Sequence, residues 1–224
     1  MKILIINPNS SEEMTQAIQH VAEFYAGDSL KVSTHSTPGA PEFIETYEDQ
    51  IKAVEGMLQL VRDFENEVDG FVVACHCDPN LDTMKEVSVK PVVGIGEASM
   101  KMATMLGHCF SVLSTASHSV PNKEALVHKY HLQDLCASVR APENSLKDCG
   151  DVEILTELGQ KAIQEDGAEV LVLGCAGMAG VDKTLQKKLG VPVLDGVVCA
   201  LILVSGMIQY GVSTSKVRRY NPVC

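Results

Sequence analysis

One pattern in this chain occurs twice, a hundred residues apart, and each time it ends in cysteine. Val68-Asp69-Gly70-Phe71-Val72-Val73-Ala74-Cys75 resembles Ala168-Glu169-Val170-Leu171-Val172-Leu173-Gly174-Cys175. At nearly the same offset, Lys90-Pro91-Val92-Val93-Gly94 resembles Val191-Pro192-Val193-Leu194-Asp195. The opening run, residues 2–6 with the loop Asn7-Pro8-Asn9-Ser10-Ser11, corresponds loosely to residues 110–117. Short continuous apolar runs bounded by turn residues read as buried strands. A chain that repeats them in this order reads as two copies of one α/β unit.

Periodicity along the rest of the chain agrees. Strands are expected at residues 2–6, 30–34, 71–74, 92–95, 110–113, 136–139, 170–173 and 191–194. A first helix is expected to bury Met14, Ile18, Val21 and Tyr25, and a second to bury Ile51, Val54, Leu58, Val61 and Phe64. Further helices are expected at about 120–130, at 151–165 and up to Leu189, with Met100, Met102 and Met105 on another as packing residues. A last helix at 196–210 is apolar on nearly all sides and should be deeply packed. Strands alternating with helices give an α/β protein with parallel sheets. The expected architecture is two similar doubly wound parallel-sheet lobes related by a pseudo-two-fold axis. Residues 1–97 plus about 196–224 form the first lobe, 98–195 the second, and the active site lies in the cleft between them.

Composition removes several function classes. With 18 basic and 29 acidic side chains the net charge is −11, the opposite of a nucleic-acid footprint. The longest apolar run, residues 196–208, is too short to span a bilayer, and the first residues lack an apolar stretch of signal-peptide length. A cytoplasmic protein is expected, with no membrane and no nucleic-acid partner. Its eight cysteines should then be mostly reduced. There is no CxxC and no zinc-finger spacing, so no metal is expected, and Cys75, His76 and Cys77 are too close in sequence to make a site by themselves.

Loops at the carboxyl ends of parallel strands form the binding crevice. Cys75 and Cys175 both stand there, so two facing units would bring them to one cleft from opposite sides. A turn and then a helix are expected after each, and amides near a helix N-terminus favour a thiolate. Two opposed thiols suit inversion of a carbon stereocentre. One thiolate removes a proton, and the other thiol delivers a proton to the opposite face. If the carbanion delocalises into an adjacent carbonyl, no cofactor is needed, and small polar groups can hold the enolate oxygen. Asn7, Asn9, Ser10, Ser114, Thr115, Ser117 and the amides of Ala176 and Gly177 are the available groups. Asn7 and Asn9 serve equally as helix-capping residues.

These residues resemble the aspartate/glutamate racemase superfamily, and within it the hydantoin and allantoin racemase branch. The resemblance rests on Ile6-Asn7-Pro8-Asn9-Ser10, on Ala74-Cys75 with Asp78-Pro79, on Gly94-Ile95, on residues 169–178 ending Gly174-Cys175-Ala176-Gly177-Met178, and on residues 191–196. It covers the chain to about Tyr210. It implies cofactor-independent racemisation at C5 of a 5-monosubstituted hydantoin, allantoin being one, with Cys75 and Cys175 as the acid/base pair. It also implies a homo-oligomer. The hydantoin ring suits a pocket light in charge, and loops 7–11, 37–41, 75–80, 114–120 and 175–180 contain no Lys or Arg. Pro41 and Ile44 are expected to line the pocket for the C5 substituent. The chain departs from the family pattern at Cys77, where Asp is expected, and at His76, which is expected to shape the pocket or tune its neighbour.

Cys77 reads as a passenger beside Cys75. Cys109, Cys136, Cys149, Cys199 and Cys224 read as packing or surface residues. Two other readings remain open: a relative such as an amino-acid racemase, maleate isomerase or arylmalonate decarboxylase, and a small-molecule binding or redox-sensing module on the same duplicated fold.

Overall fold

The computed structural model describes residues 1–146 and 148–221. Four strands, β1 (Lys2–Asn7), β2 (Lys31–Ser36), β3 (Gly70–Val73) and β4 (Val92–Gly94), form a parallel sheet in the order β2-β1-β3-β4. A second parallel sheet repeats that order with β5 (Phe110–Leu113), β6 (Cys136–Arg140), β7 (Val170–Leu173) and β8 (Val193–Leu194), as β6-β5-β7-β8. In each sheet the chain reverses direction of travel between the two central strands. That switch point is where open α/β sheets bind ligands.

The duplication extends to single hydrogen bonds. Ala74 N–H donates to Ile6 O at 2.8 Å, and Gly174 N–H donates to Leu113 O at 2.8 Å. Phe71 N–H meets Pro91 O and Leu171 N–H meets Pro192 O, both at 2.9 Å. One residue past these ladders stand Cys75 and Cys175. Each opens the same turn, Asp78 N–H reaching Cys75 O at 2.9 Å and Met178 N–H reaching Cys175 O at 3.1 Å.

Eight α-helices cover the sheets among the described residues: α1 (Glu12–Ala26), α2 (Tyr47–Phe64), α3 (Leu81–Val87), α4 (Ile95–Ala103), α5 (Val120–Lys129), α6 (Val152–Asp166), α7 (Asp182–Leu189) and α8 (Gly196–Tyr210). Their ends follow capping chemistry. Ser11 caps α1 by accepting from Met14 N–H, Thr46 and Asp49 form a capping box on α2, and Asp151 and Asp195 cap α6 and α8.

Two helix faces differ from expectation. α1 buries Thr15, Ile18, Ala22 and Ala26, while Tyr25 is turned outward. α2 buries Ala53, Gly56, Met57, Leu60 and Val61, and leaves Ile51 71% exposed. In both, small residues hold the inner face because the helix packs close. A Cβ on Gly56 would lie 2.1 Å from Pro38 O, so α2 presses directly on the loop after β2. α8 buries Gly196, Val197, Cys199, Ala200, Leu201 and Val204 and packs with β1, β3 and β4 of the first sheet, but Ile202, Met207 and Tyr210 are exposed, so it is less deeply packed than its composition predicts. Residues 215–221 fold back on α3, where Tyr220 Oη donates to Asp82 Oδ1 at 2.7 Å. Cys224 lies outside the described residues.

Candidate active site

The loop after β1 is held by its own asparagines. Asn7 is fully buried, and its amide donates to Asn9 Oδ1 at 2.7 Å and Thr15 Oγ1 at 2.9 Å. Asn9 Oδ1 accepts from Ser11 N–H at 3.0 Å. Both amide N–H bonds of Asn7 are thereby committed to the loop. The loop after β2 is stitched alongside: Thr37 Oγ1 donates to Asn7 O at 2.7 Å, and Ser10 N–H donates to Pro41 O at 2.9 Å. Pro41 therefore stands beside the first loop, and Ile44 packs on the core beneath. In the second lobe, the hydroxyls of Ser114 and Ser119 share a hydrogen bond of 2.5 Å, and Thr115 O accepts from Leu146 N–H.

Cys75 and Cys175 are both half-buried free thiols, and the charge of Cys175 acts on Cys75. Neither stands alone. Cys75 shares a hydrogen bond with Cys77; that bond, with burial, pushes the Cys75 thiol well above its ordinary range. The same bond brings Cys77 down to about 6, with the charge on Lys123 helping. Cys175 is lowered to about 7, first by a hydrogen bond from Cys149 and then by the Gly177 amide and the charge on Lys123, all working against burial. Gly177 N–H points at Cys175 Sγ from 3.4 Å. The turn after Cys175 is a short 3₁₀ segment, Ala176–Met178, so Ala176 and Gly177 lie directly against the thiol.

The turn after Cys75 is more elaborate. Asp78 and Asn80 adopt left-handed backbone, which short polar side chains tolerate. Asp78 is buried and accepts from Gly96 N–H at 3.0 Å, Glu97 N–H at 2.6 Å and Tyr130 Oη at 2.6 Å. Burial raises it to about 7 against those donors. His76 is 1% exposed, and among the described residues neither ring nitrogen has a hydrogen-bond partner. Burial first, then the charge on Lys123, holds it well below the usual imidazole range, so it is neutral. Among the described residues no three His, Cys, Asp or Glu side chains come together as a metal site.

Sequence reasoning missed three participants. Cys77, expected to be a passenger, acts on the Cys75 thiol through a side-chain hydrogen bond. Cys149 packs on the core of the second lobe, as expected, and it also touches Cys175, a contact that with burial pushes its own thiol up. Lys123, on α5, is 3% exposed, and its charge acts on His76, Cys77 and Cys175. The loops are indeed free of Lys and Arg, yet a helix carries an ammonium to their edge. Its signal was present, because Lys123, Leu126 and Val127 share the buried face of α5. A pocket of about 330 Å³ adjoins the site between α2, the turn after β3 and α5, with Tyr47, Cys77, Asp78, Asn122 and Lys129 in its wall. Tyr47 Oη donates to Asn122 Oδ1 at 3.1 Å, tying its two sides together.

The family described as Asp/Glu/Hydantoin racemase matches residues 3–204. The chain belongs to that family. It is 39% identical to a hydantoin racemase of Rhizobium meliloti, over 98% of this chain and 94% of the relative. It is 38% identical to a hydantoin racemase of Pseudomonas sp. strain NS671, over 98% and 91%. The allantoin racemase from Klebsiella pneumoniae superposes with a TM-score of 0.93 at 34% identity, covering 98% of this chain and 92% of that one. The chain is thus an enzyme, an isomerase of the racemase type. Among the described residues no helix is long and apolar enough to cross a membrane.

Proposed function

We propose that this racemase inverts C5 of 5-monosubstituted hydantoins, allantoin among them, by proton transfer between Cys75 and Cys175. The observation that carries the reading is the matched placement of the two thiols, each two residues past the end of a switch-point strand, with the charge of Cys175 acting on Cys75. Cys175, lowered to about 7, acts as the thiolate base; Cys75, pushed up, keeps its proton beside Cys77, which is itself lowered to about 6. The thiolate takes the C5 proton, forming an S–H bond as the C–H bond breaks. The electron pair delocalises into the C4 carbonyl. Cys75 then gives its proton to the opposite face, and the enzyme ends with the two protonation states exchanged.

Neutral groups suit this substrate. His76 offers one N–H donor and one ring acceptor, both unpartnered, and a hydantoin edge offers the complement. Ser114, Thr115 and the amides of Ala176 and Gly177 supply donors from the other lobe, while Asn7 and Asn9 shape the loop that bears Pro41. We assign residues 1–97 and about 196–224 to the first lobe and 98–195 to the second, with the reaction between them and no cofactor taking part. We expect the enzyme to work in the cytoplasm as a homo-oligomer. Polarimetry of optically pure allantoin and of benzyl-, isobutyl- and methylthioethyl-hydantoin tests the reading. Decay of rotation to zero for at least one is expected; constant rotation across the panel overturns it.

A further inference from the structure

Lys123 breaks two local rules at once. It places a positive charge in the first turn of α5, where the helix field disfavours one and where no acidic residue stands. It also buries that charge on the apolar face of the helix. Buried cations are ordinarily paired with an anion, since desolvation is costly otherwise. Yet among the described residues the only polar contact of its ammonium is the carbonyl oxygen of Gly174, at 2.6 Å. Violations of local preference gather at functional sites.

We propose that Lys123 is a positioning residue whose counter-ion is the thiolate of Cys175, so that its ammonium, held at the end of β7, favours the charged form of that sulfur. Gly174 directly precedes Cys175, so the hydrogen bond fixes the ammonium beside the end of β7. The groups facing Cys175 are Cys149 from the loop before α6, the Gly177 amide, Lys123 from α5, and Cys77 and Cys75 from the turn after β3. Lys123 supplies the positive charge in that set. His76 also faces it, and is kept neutral partly by it, which leaves the imidazole as a donor and acceptor rather than a second cation. Its charge reaches Cys77 in the turn after β3 as well as Cys175 at the end of β7.

The inference rests on the racemase reading for its kinetic consequence, but its decisive measurement does not. Iodoacetamide alkylation of Cys175, followed by peptide mass mapping across pH, reports the thiolate with no hydantoin present. Lys123→Gln keeps a donor for Gly174 O and removes the charge; its alkylation midpoint should move up by about one pH unit. Lys123→Arg, which keeps the charge, should stay closer to the wild type. If hydantoins are substrates, kcat/KM of Lys123→Gln at pH 6 should fall by roughly tenfold and recover at pH 9, with KM little changed. Should Gln fail to fold, Lys123→Met carries the same test, since replacing a buried charge by a matched apolar chain is often neutral or stabilising. An alkylation midpoint unchanged in the charge-free variant overturns the inference, whatever polarimetry says. A shifted midpoint with no rotation lost on any hydantoin upholds it and overturns the substrate reading instead.

Discussion

Gly177 aims its backbone N–H at the sulfur of Cys175 from 3.4 Å, and a Cβ added at Gly177 would lie 3.1 Å from Cys149 Cβ and 3.3 Å from Cys149 Sγ. The donor that lowers the Cys175 thiol and the space that admits its thiol neighbour thus come from one glycine. Gly177→Ala should push Cys149 away from Cys175. The expected result is a drop in kcat of about tenfold near pH 6.5 with a smaller loss at pH 9, because a weakened thiolate is felt where the proton competes. Equal losses at both pH values would show a different origin.

The acid limb of the wild-type pH profile follows from the same thiolate. Cys175 is lowered to about 7, so kcat/KM should rise with unit slope below that pH. Cys75 is pushed well above the usual thiol range, so the proton it must donate is retained far into alkali, and the profile should be a broad plateau. In the proposed two-base scheme both enantiomers need the pair to hold one proton in total, so both should show the same limits. Initial-rate polarimetry from each enantiomer across pH 5–10, by order of magnitude the useful window for thiols, checks this.

Removing either thiol should separate the two halves of the reaction. Cys75→Ala and Cys175→Ala are each expected to abolish racemisation. One of them should still exchange the C5 proton of a single enantiomer with deuterated water, seen by NMR as loss of the C5–H signal without loss of rotation. Near-wild-type racemisation by either variant would break the two-base scheme.

Gly56 is the place where α2 touches the loop bearing Pro41. A side chain there meets backbone, Pro38 O at 2.1 Å, so it cannot be accommodated by a rotamer change. Gly56→Ala should cost about 1–3 kcal/mol by overpacking and displace residues 37–41. Denaturant unfolding should show the stability loss, and KM should rise more than kcat falls.

Asp78 ties the turn after Cys75 to the start of α4. Asp78→Ala orphans two buried amides and the Tyr130 hydroxyl, at about 1–3 kcal/mol. In a domain of this size each kcal/mol lowers the thermal midpoint by roughly 2–4 °C. The sign of the pH dependence is unusual. Burial raises the folded-state pKa from 3.8 to about 7, so the favourable contribution of this carboxyl is complete below pH 4 and is lost as pH rises through 7. Asp78→Asn should therefore compare better with the wild type at pH 8 than at pH 5, measured by urea unfolding at both.

The two cysteines were visible in the primary structure because a repeat leaves a matching trace at a fixed offset, and apolar runs announce buried parallel strands. Cys75 at the end of β3 and Cys175 at the end of β7 follow from that trace alone. Helix faces were less legible. Ile51 looks like a core residue by period, but α2 packs so closely on Gly56 and Ala53 that the large side chain turns out to solvent.

The amino-acid sequence by itself determined the two-sheet repeat, the strand ends that carry the thiols, and the racemase family. Only the tertiary structure decided what surrounds those thiols. Cys149 reaches Cys175 from a loop 26 residues away in the chain, and Lys123 meets Gly174 from 51 residues away. Local pattern is set by short-range sterics and burial, which leave a periodic record in the chain. The charge state of a thiol is set by whichever dipoles and ions the folded chain brings within a few ångströms, and such contacts leave no period to read.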